Sequence, residues 1–454
     1  MQIIDTGLSL AGTRETTFRV ERDDQARSPY LYVAVDVPSG LSSLSVTLAY
    51  EKGEDCIIDL GLLDPRASAY PTREGFRGWS GGARNAVFVG EKTATPGYVP
   101  GAIMAGRWLV MLGLYRLPEA GAEISLTVGD TPIGPAASAV PEATRWTPKG
   151  PGWYRGDTHS HTFHSDAKGA PETLHRMARE RGLDFLFVTD HNTLTGWTAY
   201  FRNVTGSDLV FLPGVEITTA DGHANILGLE TWVDFRLERD EDIAVLEASA
   251  RSAGGILSVN HHKPPIPWRH AWPEVKCMEA WHECWDRDNA LLLSRYDALL
   301  KSGRRITGIG GSDYHQPAAL THEGAWLLGN PTTVVHAETL DRTGVVEAIR
   351  RGRVFITESP DGPHLELEAD GQPMGGVVAA SKGVVLNVLT EGAKGDGLHL
   401  VSDRGLLATL PVGSGRWQAE MRLPSGLLYV RAEIRRGKAV RALSNPIYFD
   451  RQMR

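Results

Sequence analysis

The sequence predicts a mixed α/β fold in three parts: a β-sandwich over residues 1–150, a β/α domain over 151–358 and a small β domain over 359–454. Three observations carry the prediction. Short apolar segments broken by glycine and proline fill the first part, apolar strands alternate with helical stretches in the second, and strand-like alternation without a helix returns in the third. A chain of 454 residues exceeds one ordinary core and suits two or three.

In the first part, Leu31-Tyr32-Val33-Ala34-Val35 and Leu44-Ser45-Val46-Thr47-Leu48 read as strands. Pro132 to Pro151, rich in Pro, Ala, Ser and Gly, has the composition of a linker and sets the first boundary. Beyond it one β/α unit is explicit. Pro171 suits a first helical turn, Glu172 complements the positive helix start, Leu174, Met177 and Ala178 recur at helical spacing, and Gly182 supplies the stop. The strand Asp184-Phe185-Leu186-Phe187-Val188 follows, with others predicted at Leu209–Leu212, Gly255–Val259, Val275–Met278 and Arg305–Ile309. Each runs directly into polar residues, and in β/α barrels the C-terminal ends of strands are where catalytic side chains gather. In the third part the strands include His364–Glu368 and Val384–Leu389.

Composition excludes several classes. The net charge is −8 and no basic run exceeds Arg350-Arg351-Gly352-Arg353, so long nucleic acid is not an expected partner. Cys56, Cys277 and Cys284 form no C-x-x-C pair, which argues against both a disulfide framework and a thiolate zinc site. The N-terminal residues lack a signal-peptide pattern, and the apolar stretch Trp108–Tyr115 is far shorter than the roughly 20 residues of a membrane span. A cytoplasmic protein without membrane contact is expected; the oligomeric state is not legible.

Eleven of the fifteen histidines lie between His159 and His315. Their arrangement is ordered: His159-x-His161 with Asp166 beyond, then Asp190-His191, Glu216, His223, His261 and Asp313-x-His315. Alternate residues of an extended segment share a face, so both imidazoles of H-x-H reach one ion, and D-x-H does the same. Imidazole and carboxylate without thiolate suit Zn, Mn or Fe, and Glu216 has two oxygens with which to bridge two ions. Isolated His175, His322, His336, His364 and His399 read as surface or core residues. His164 stands either as a ligand or as a loop residue lining the pocket.

At this point Gly156-Asp157-Thr158-His159-Ser160-His161, Ser165-Asp166, Thr189-Asp190-His191-Asn192 and Gly311-Ser312-Asp313-Tyr314-His315 resemble the successive motifs of the PHP (polymerase and histidinol phosphatase) superfamily. Gly214–Thr219 and Gly222–Leu229 further resemble the branch of the CehA and McbA hydrolases. The resemblance spans about residues 155–358. It implies a distorted (β/α)7, TIM-like barrel with two or three divalent cations. The implied ligands are His159, His161, Asp166, His191, Glu216, His223, His261, Asp313 and His315. Where the family usually has His-Pro, this chain reads Asn260-His261-His262, leaving open which histidine binds. Glu279-Ala280-Trp281-His282 also departs from the branch's Glu-x-Trp-Asn.

The expected reaction is hydrolysis of a small-molecule ester by a metal-bridging hydroxide, most simply of a phosphomonoester or phosphodiester. His262, His282 and Lys263 are candidates to assist the leaving group or grip an anion. Asp157, Asp190 and Glu279 are expected to stand behind the ligands and orient them. His164, Arg269, His270 and Trp281 are candidates for the pocket wall. Hydrolysis of a carbamate or amide is the alternative chemistry, with Trp268, Trp272, Trp281 and Trp285 as an aromatic pocket; an inactive binding module is the alternative of another class. A serine- or cysteine-nucleophile hydrolase is set aside.

Overall fold

Alternating apolar residues pair the N-terminal segments into two sheets. The structure is a computed structural model, describing residues 1–10, 12–67, 70–136, 147–204, 209–316, 327–379 and 383–450; His322 and the middle of the linker lie outside these. One sheet holds, in spatial order, Gln2–Ser9, Tyr30–Val37, Gly106–Arg116, Ile57–Leu63 and Phe76–Trp79. The other holds Arg14–Val20, Ala122–Gly129, Ser43–Ala49 and Ala86–Gly90. Leu31, Val33 and Val35 of the first share a core with Leu44, Val46 and Leu48 of the second, as two sheets packed face to face require. The other face of the first sheet is apolar too. Tyr30, Tyr32, Ala34 and Met111 pack in one cluster with Val215, Phe235 and Leu237 of the central region.

The central region runs β1 (Gly152–Asp157), α1 (Pro171–Glu180), β2 (Phe185–Val188), β3 (Val210–Thr219), β4 (Gly222–Leu227), α2 (Asp242–Ser252) and β5 (Ile256–Val259). It continues through β6 (Cys277–His282), α3 (Asn289–Lys301), β7 (Thr307–Gly311), β8 (Thr332–Ala337), α4 (Arg342–Arg350) and β9 (Val354–Thr357). In α1, Pro171 opens the first turn and Leu174, Met177 and Ala178 are buried. Gly182 follows with a φ of 66°, the left-handed conformation that ends helices.

The strands pair in the order β7-β6-β5-β4-β3-β2-β1-β8-β9. β1, β2 and β3 are parallel, as are β5, β6 and β7. The expectation of uniformly parallel units is corrected at β4, which is antiparallel to both its neighbours. The connection from β3 is only Ala220-Asp221, short enough for a hairpin and far too short for a crossover. Closure into a barrel by a backbone ladder is also not seen among the described residues. β7 and β1 continue into a single bridge, Ser160 to Tyr314, and side chains supply the other links. Thr158 Oγ1 and Thr333 Oγ1 donate to the Gly310 carbonyl at 3.0 and 2.7 Å.

The sheet continues past residue 358: β9 pairs antiparallel with Ala439–Ser444, so the expected boundary at 358/359 falls within a single sheet. A further four-stranded sheet orders Gln372–Pro373, His364–Ala369, Val385–Glu391 and Trp417–Arg422. Its Leu365 and Leu386 share a core with Ile434. Among the described residues no helix is long and apolar enough to cross a membrane.

Candidate metal centre

The strand ends bring the predicted residues to one place. His159 and His161 follow β1, His191 follows β2, Glu216 lies within β3, His223 within β4, His261 follows β5, and Asp313 and His315 follow β7. Glu279 and His282 both lie in β6, three residues apart, a spacing that puts side chains on opposite faces of a regular strand. A register shift between Glu279 and Trp281 against β7 breaks the alternation. Such a bulge re-aims side chains, and Glu279 and His282 join His159 in one ligand-competent group. The sequence carries no visible mark of this bulge.

Glu216 is fully buried at the middle of the cluster. Its Oε1 lies 3.3 Å from His159 Nε2, 3.2 Å from His223 Nδ1 and 3.3 Å from His261 Nε2; its Oε2 lies 2.7 Å from His191 Nδ1 and 3.6 Å from His161 Nε2. The two oxygens therefore face two different sets of imidazoles. Asp313 is a second hub, with Oδ1 at 3.2 and 3.0 Å from the Nε2 atoms of His159 and His161, and Oδ2 at 3.3 Å from His282 Nε2. Asp166 Oδ1 stands 3.4 Å from His191 Nε2 and 3.1 Å from His315 Nε2.

These residues fit divalent cations. His159 Nε2, both ring nitrogens of His161, Glu216 Oε2, His223 Nε2 and Asp313 Oδ1 are buried without a hydrogen-bond partner. An unsatisfied buried polar atom costs about 1–3 kcal/mol, and divalent cations bound among these atoms would satisfy them. Burial, with His315 and His191 as neighbours, pushes His161 down to about 3, leaving the neutral imidazole a metal needs. Burial opposes protonation of His159 and His191 as well. There the surrounding carboxylates, led by Asp313 for the first and Asp166 for the second, outweigh it and hold both well above the usual histidine range. Backbone geometry is unusual here too: Asn192, His261, Glu283 and Asp313 have φ values of 56°, 21°, 57° and 51°. Non-glycine residues in this region mark strain retained at functional sites.

The residues expected behind the ligands divide by role. Glu279 Oε1 meets His159 Nδ1 at 2.7 Å, while its Oε2 accepts from the His261 backbone at 2.7 Å. Asp157 binds backbone, accepting from the amides of His159, Ser312 and Gly329 at 3.1, 3.1 and 2.7 Å. Asp190 holds the loop after His161, accepting from the Thr162 amide at 2.7 Å and from Ser165 Oγ at 2.9 Å. Burial pushes each of these aspartates up to about 6.

Of the expected acid–base and pocket residues, His282 joins the cluster, whereas His262 turns aside. Its Nδ1 accepts from the Trp268 amide at 3.0 Å and its ring lies against Trp272. Lys263 lines the cavity but its Nζ donates to the carbonyls of His282 and Arg287. His164 Nδ1 meets Thr195 Oγ1 at 3.0 Å and belongs to none of the ligand-competent groups. His270 Nε2 pairs with Thr219 Oγ1 at 2.8 Å, Arg269 is exposed near Asp221, and Trp281 is buried with its ring nitrogen donating to Glu283 O.

The cluster opens into a cavity of about 1030 Å³. Its lining includes His191, His223, His261, His282, Asp313 and His315. The opposite wall comes from the N-terminal sheet: Lys52, Ile57, Asp59, Trp79 and Tyr115, with Ser80–Ala83. None of the four tryptophans expected to form an aromatic pocket is in the lining, but Trp79 is. Arg84 ties the wall in place, its guanidinium donating to the carbonyls of Ser165 (2.7 Å) and Phe163. Sequence reasoning passed over one motif: Gly78-Trp79-Ser80-Gly81-Gly82 has the G-x-S-x-G spacing of a serine nucleophile elbow. Ser80 Oγ meets Tyr98 Oη at 3.1 Å and Leu60 O at 3.4 Å, and neither is a base for a serine nucleophile.

A stretch of 116 residues is 35% identical to the 5'-3' exoribonuclease Rnm of Salmonella typhimurium, covering 24% of this chain and 39% of that protein. Among solved structures, a two-domain protein of Bacteroides vulgatus, containing a PHP-like metal-dependent phosphoesterase assigned by prediction, aligns over 68% of this chain and 100% of its own. The identity is 18% and the TM-score 0.38. A Bifidobacterium adolescentis protein to which a metal-dependent phosphoesterase role is attributed aligns over 43% of this chain and 96% of its own, at 17% identity and a TM-score of 0.28. Residues 157–307, from the end of β1 to the start of β7, match the PHP domain.

Proposed function

We propose that this protein is a metal-dependent phosphoesterase acting on a small-molecule phosphomonoester or phosphodiester, in a centre of two or three ions. The observation that carries the reading is the division of Glu216 between two sets of histidines, beneath a cavity large enough for a small ester. Divalent cations held there would lower the pKa of water and stabilise charge on a phosphoryl oxygen. His159, His161, Asp313 and Glu216 would hold them at the centre, His191, His315 and Asp166 at one side, and His223, His261 and His282 at the other. Zn, Mn and Fe all suit these donors.

The PHP domain and the stretch shared with an exoribonuclease favour attack on phosphorus over attack on a carbonyl. Within the domain we read the strand order as a distorted (β/α)7 barrel, completed by side chains where ladder pairing stops. The CehA and McbA hydrolases remain the subgroup that residues 214–229 resemble.

The test is metal content by plasma mass spectrometry on protein prepared without chelator, with parallel turnover of an aryl phosphomonoester, an aryl phosphodiester and an aryl carbamate. Two or three metals per chain with a phosphate ester preferred is the expected result; preference for the carbamate would overturn the choice of reaction. His161→Ala and Asp313→Ala should each lose metal and turnover while the outer β-sheets stay folded, and full activity in both would remove the proposed site.

A further inference from the structure

The wall opposite the cluster holds a carboxyl group that the metal centre does not use. Asp59 lies in the strand Ile57–Leu63 of the N-terminal sheet and faces the same cavity as His191, Asp313 and His315. It sits in a niche kept open by glycine: a Cβ on Gly113 would stand 3.0 Å from both Asp59 Oδ2 and its Cβ. Gly82 lies beside it, where an added Cβ would stand 3.6 Å from Asp59 Oδ1. Lys52, in the same lining, commits its Nζ to the Gly82 carbonyl.

From this placement we infer that Asp59 is the proton donor to the leaving group, so that the N-terminal sheet supplies a catalytic residue to the PHP domain. The inference rests on the phosphoesterase reading above. A water oxygen forms the new bond to phosphorus, the bond from phosphorus to the alcohol oxygen breaks, and its electron pair stays on that oxygen. The proton it takes comes from the Asp59 carboxyl, and the proton given up by the attacking water returns to Asp59 through solvent.

The other groups in the wall are less suited to this role. Lys263 is held by two backbone carbonyls, Glu283 faces Arg287 at 3.8 Å, and Asp288 stands at the start of α3. His282 faces Asp313 among the ligands. Burial raises the Asp59 carboxyl to about 7, against the pull of His191 and Lys52 and with Asp166 assisting. Cations in the centre would lower that value, and the phosphoryl charge of a bound ester would offset them. A general acid works best when its pKa lies near the operating pH.

The experiment uses the full chain loaded with metal, wild type and Asp59→Asn, on phosphate esters ranging from a dinitrophenyl to an alkyl leaving group. A dinitrophenolate departs without a proton, whereas an alkoxide requires one. The variant's loss of kcat on the alkyl ester should exceed its loss on the dinitrophenyl ester by about 10²- to 10⁴-fold, at unchanged metal content. With inorganic phosphate bound in the centre, the difference infrared spectrum at pH 6 should also show a protonated carboxyl that the variant lacks. Equal losses across the series, or no protonated carboxyl, would overturn the proton-donor role alone. Absence of phosphate ester turnover by the metal-loaded wild type would overturn the phosphoesterase reading and this inference with it.

Discussion

Glu279 Oε1 lies 2.7 Å from His159 Nδ1, and this single contact decides which nitrogen of His159 faces the metal centre. With Nδ1 committed to the carboxylate, Nε2 is turned towards Glu216 and Asp313, at 3.3 and 3.2 Å. Glu279→Gln keeps the size but removes the negative charge that makes the imidazole a stronger ligand. Metal affinity should fall by about 10- to 100-fold, read by competition with a fluorescent chelator. An unchanged affinity would show that His159 is oriented by packing alone.

Protons and metal compete for the same nitrogens. Burial opposes protonation of His315, but Asp313 and Asp166 raise it from 6.5 to about 9. In the metal-free protein this contribution to stability is fully present below pH 6.5 and is lost as pH rises through 9. The Tm of the metal-free protein should therefore drop across that window. Adding metal at pH 7.5 should release protons into a weakly buffered indicator solution; metal uptake without proton release would contradict the ion-paired histidines described here.

Gly311 closes β7 directly against the ligands, where an added Cβ would stand 2.5 Å from both Glu279 Oε1 and His159 Cβ. Neither neighbour has room to yield, because both are buried and paired to each other. Gly311→Ala should cost about 1–3 kcal/mol by overpacking and displace Glu279 from His159. Thermal unfolding and metal stoichiometry should decline together, and a variant with wild-type values for both would refute the tight contact.

Arg84 spans from the N-terminal wall to the loop that carries Asp166. Arg84→Ala removes the donor for the carbonyls of Phe163 and Ser165, which are partly buried acceptors, at a cost of up to about 1 kcal/mol each. Loss should be greatest for the ion bound by Asp166, His191 and His315, so equilibrium dialysis should show one weakened site with the others retained. Uniform weakening of every site would point to general unfolding.

Much of this was legible in the sequence because His159, His191, His261 and Asp313 each follow the end of an apolar strand. The runs before His159, His191, His261 and Asp313 mark the strands, and the H-x-H and D-x-H spacings mark shared faces. What stayed hidden depends on events between distant segments. The turn-back of β4 follows from a two-residue connection whose flanks read simply as apolar and polar stretches. The joint placement of Glu279 and His282 needs a bulge that no residue type announces. Asp59 is 100 residues before the first ligand, in a strand that reads as ordinary sandwich, and only docking of the sheet gives it a chemical setting.

Where ladder pairing leaves β7 without a full complement of partners, an asparagine takes over. Asn445 accepts from the Gly308 amide at 2.7 Å and donates to the carbonyls of Gly308 and Val354 at 2.8 and 2.9 Å, so one side-chain amide stitches two strands as a backbone would. The strand that brings Asp313 to the histidine cluster is therefore fastened by a residue more than 130 positions downstream. During synthesis the ligands emerge from the ribosome well before this fastening does, and ions that arrive in the interval meet a half-built cage.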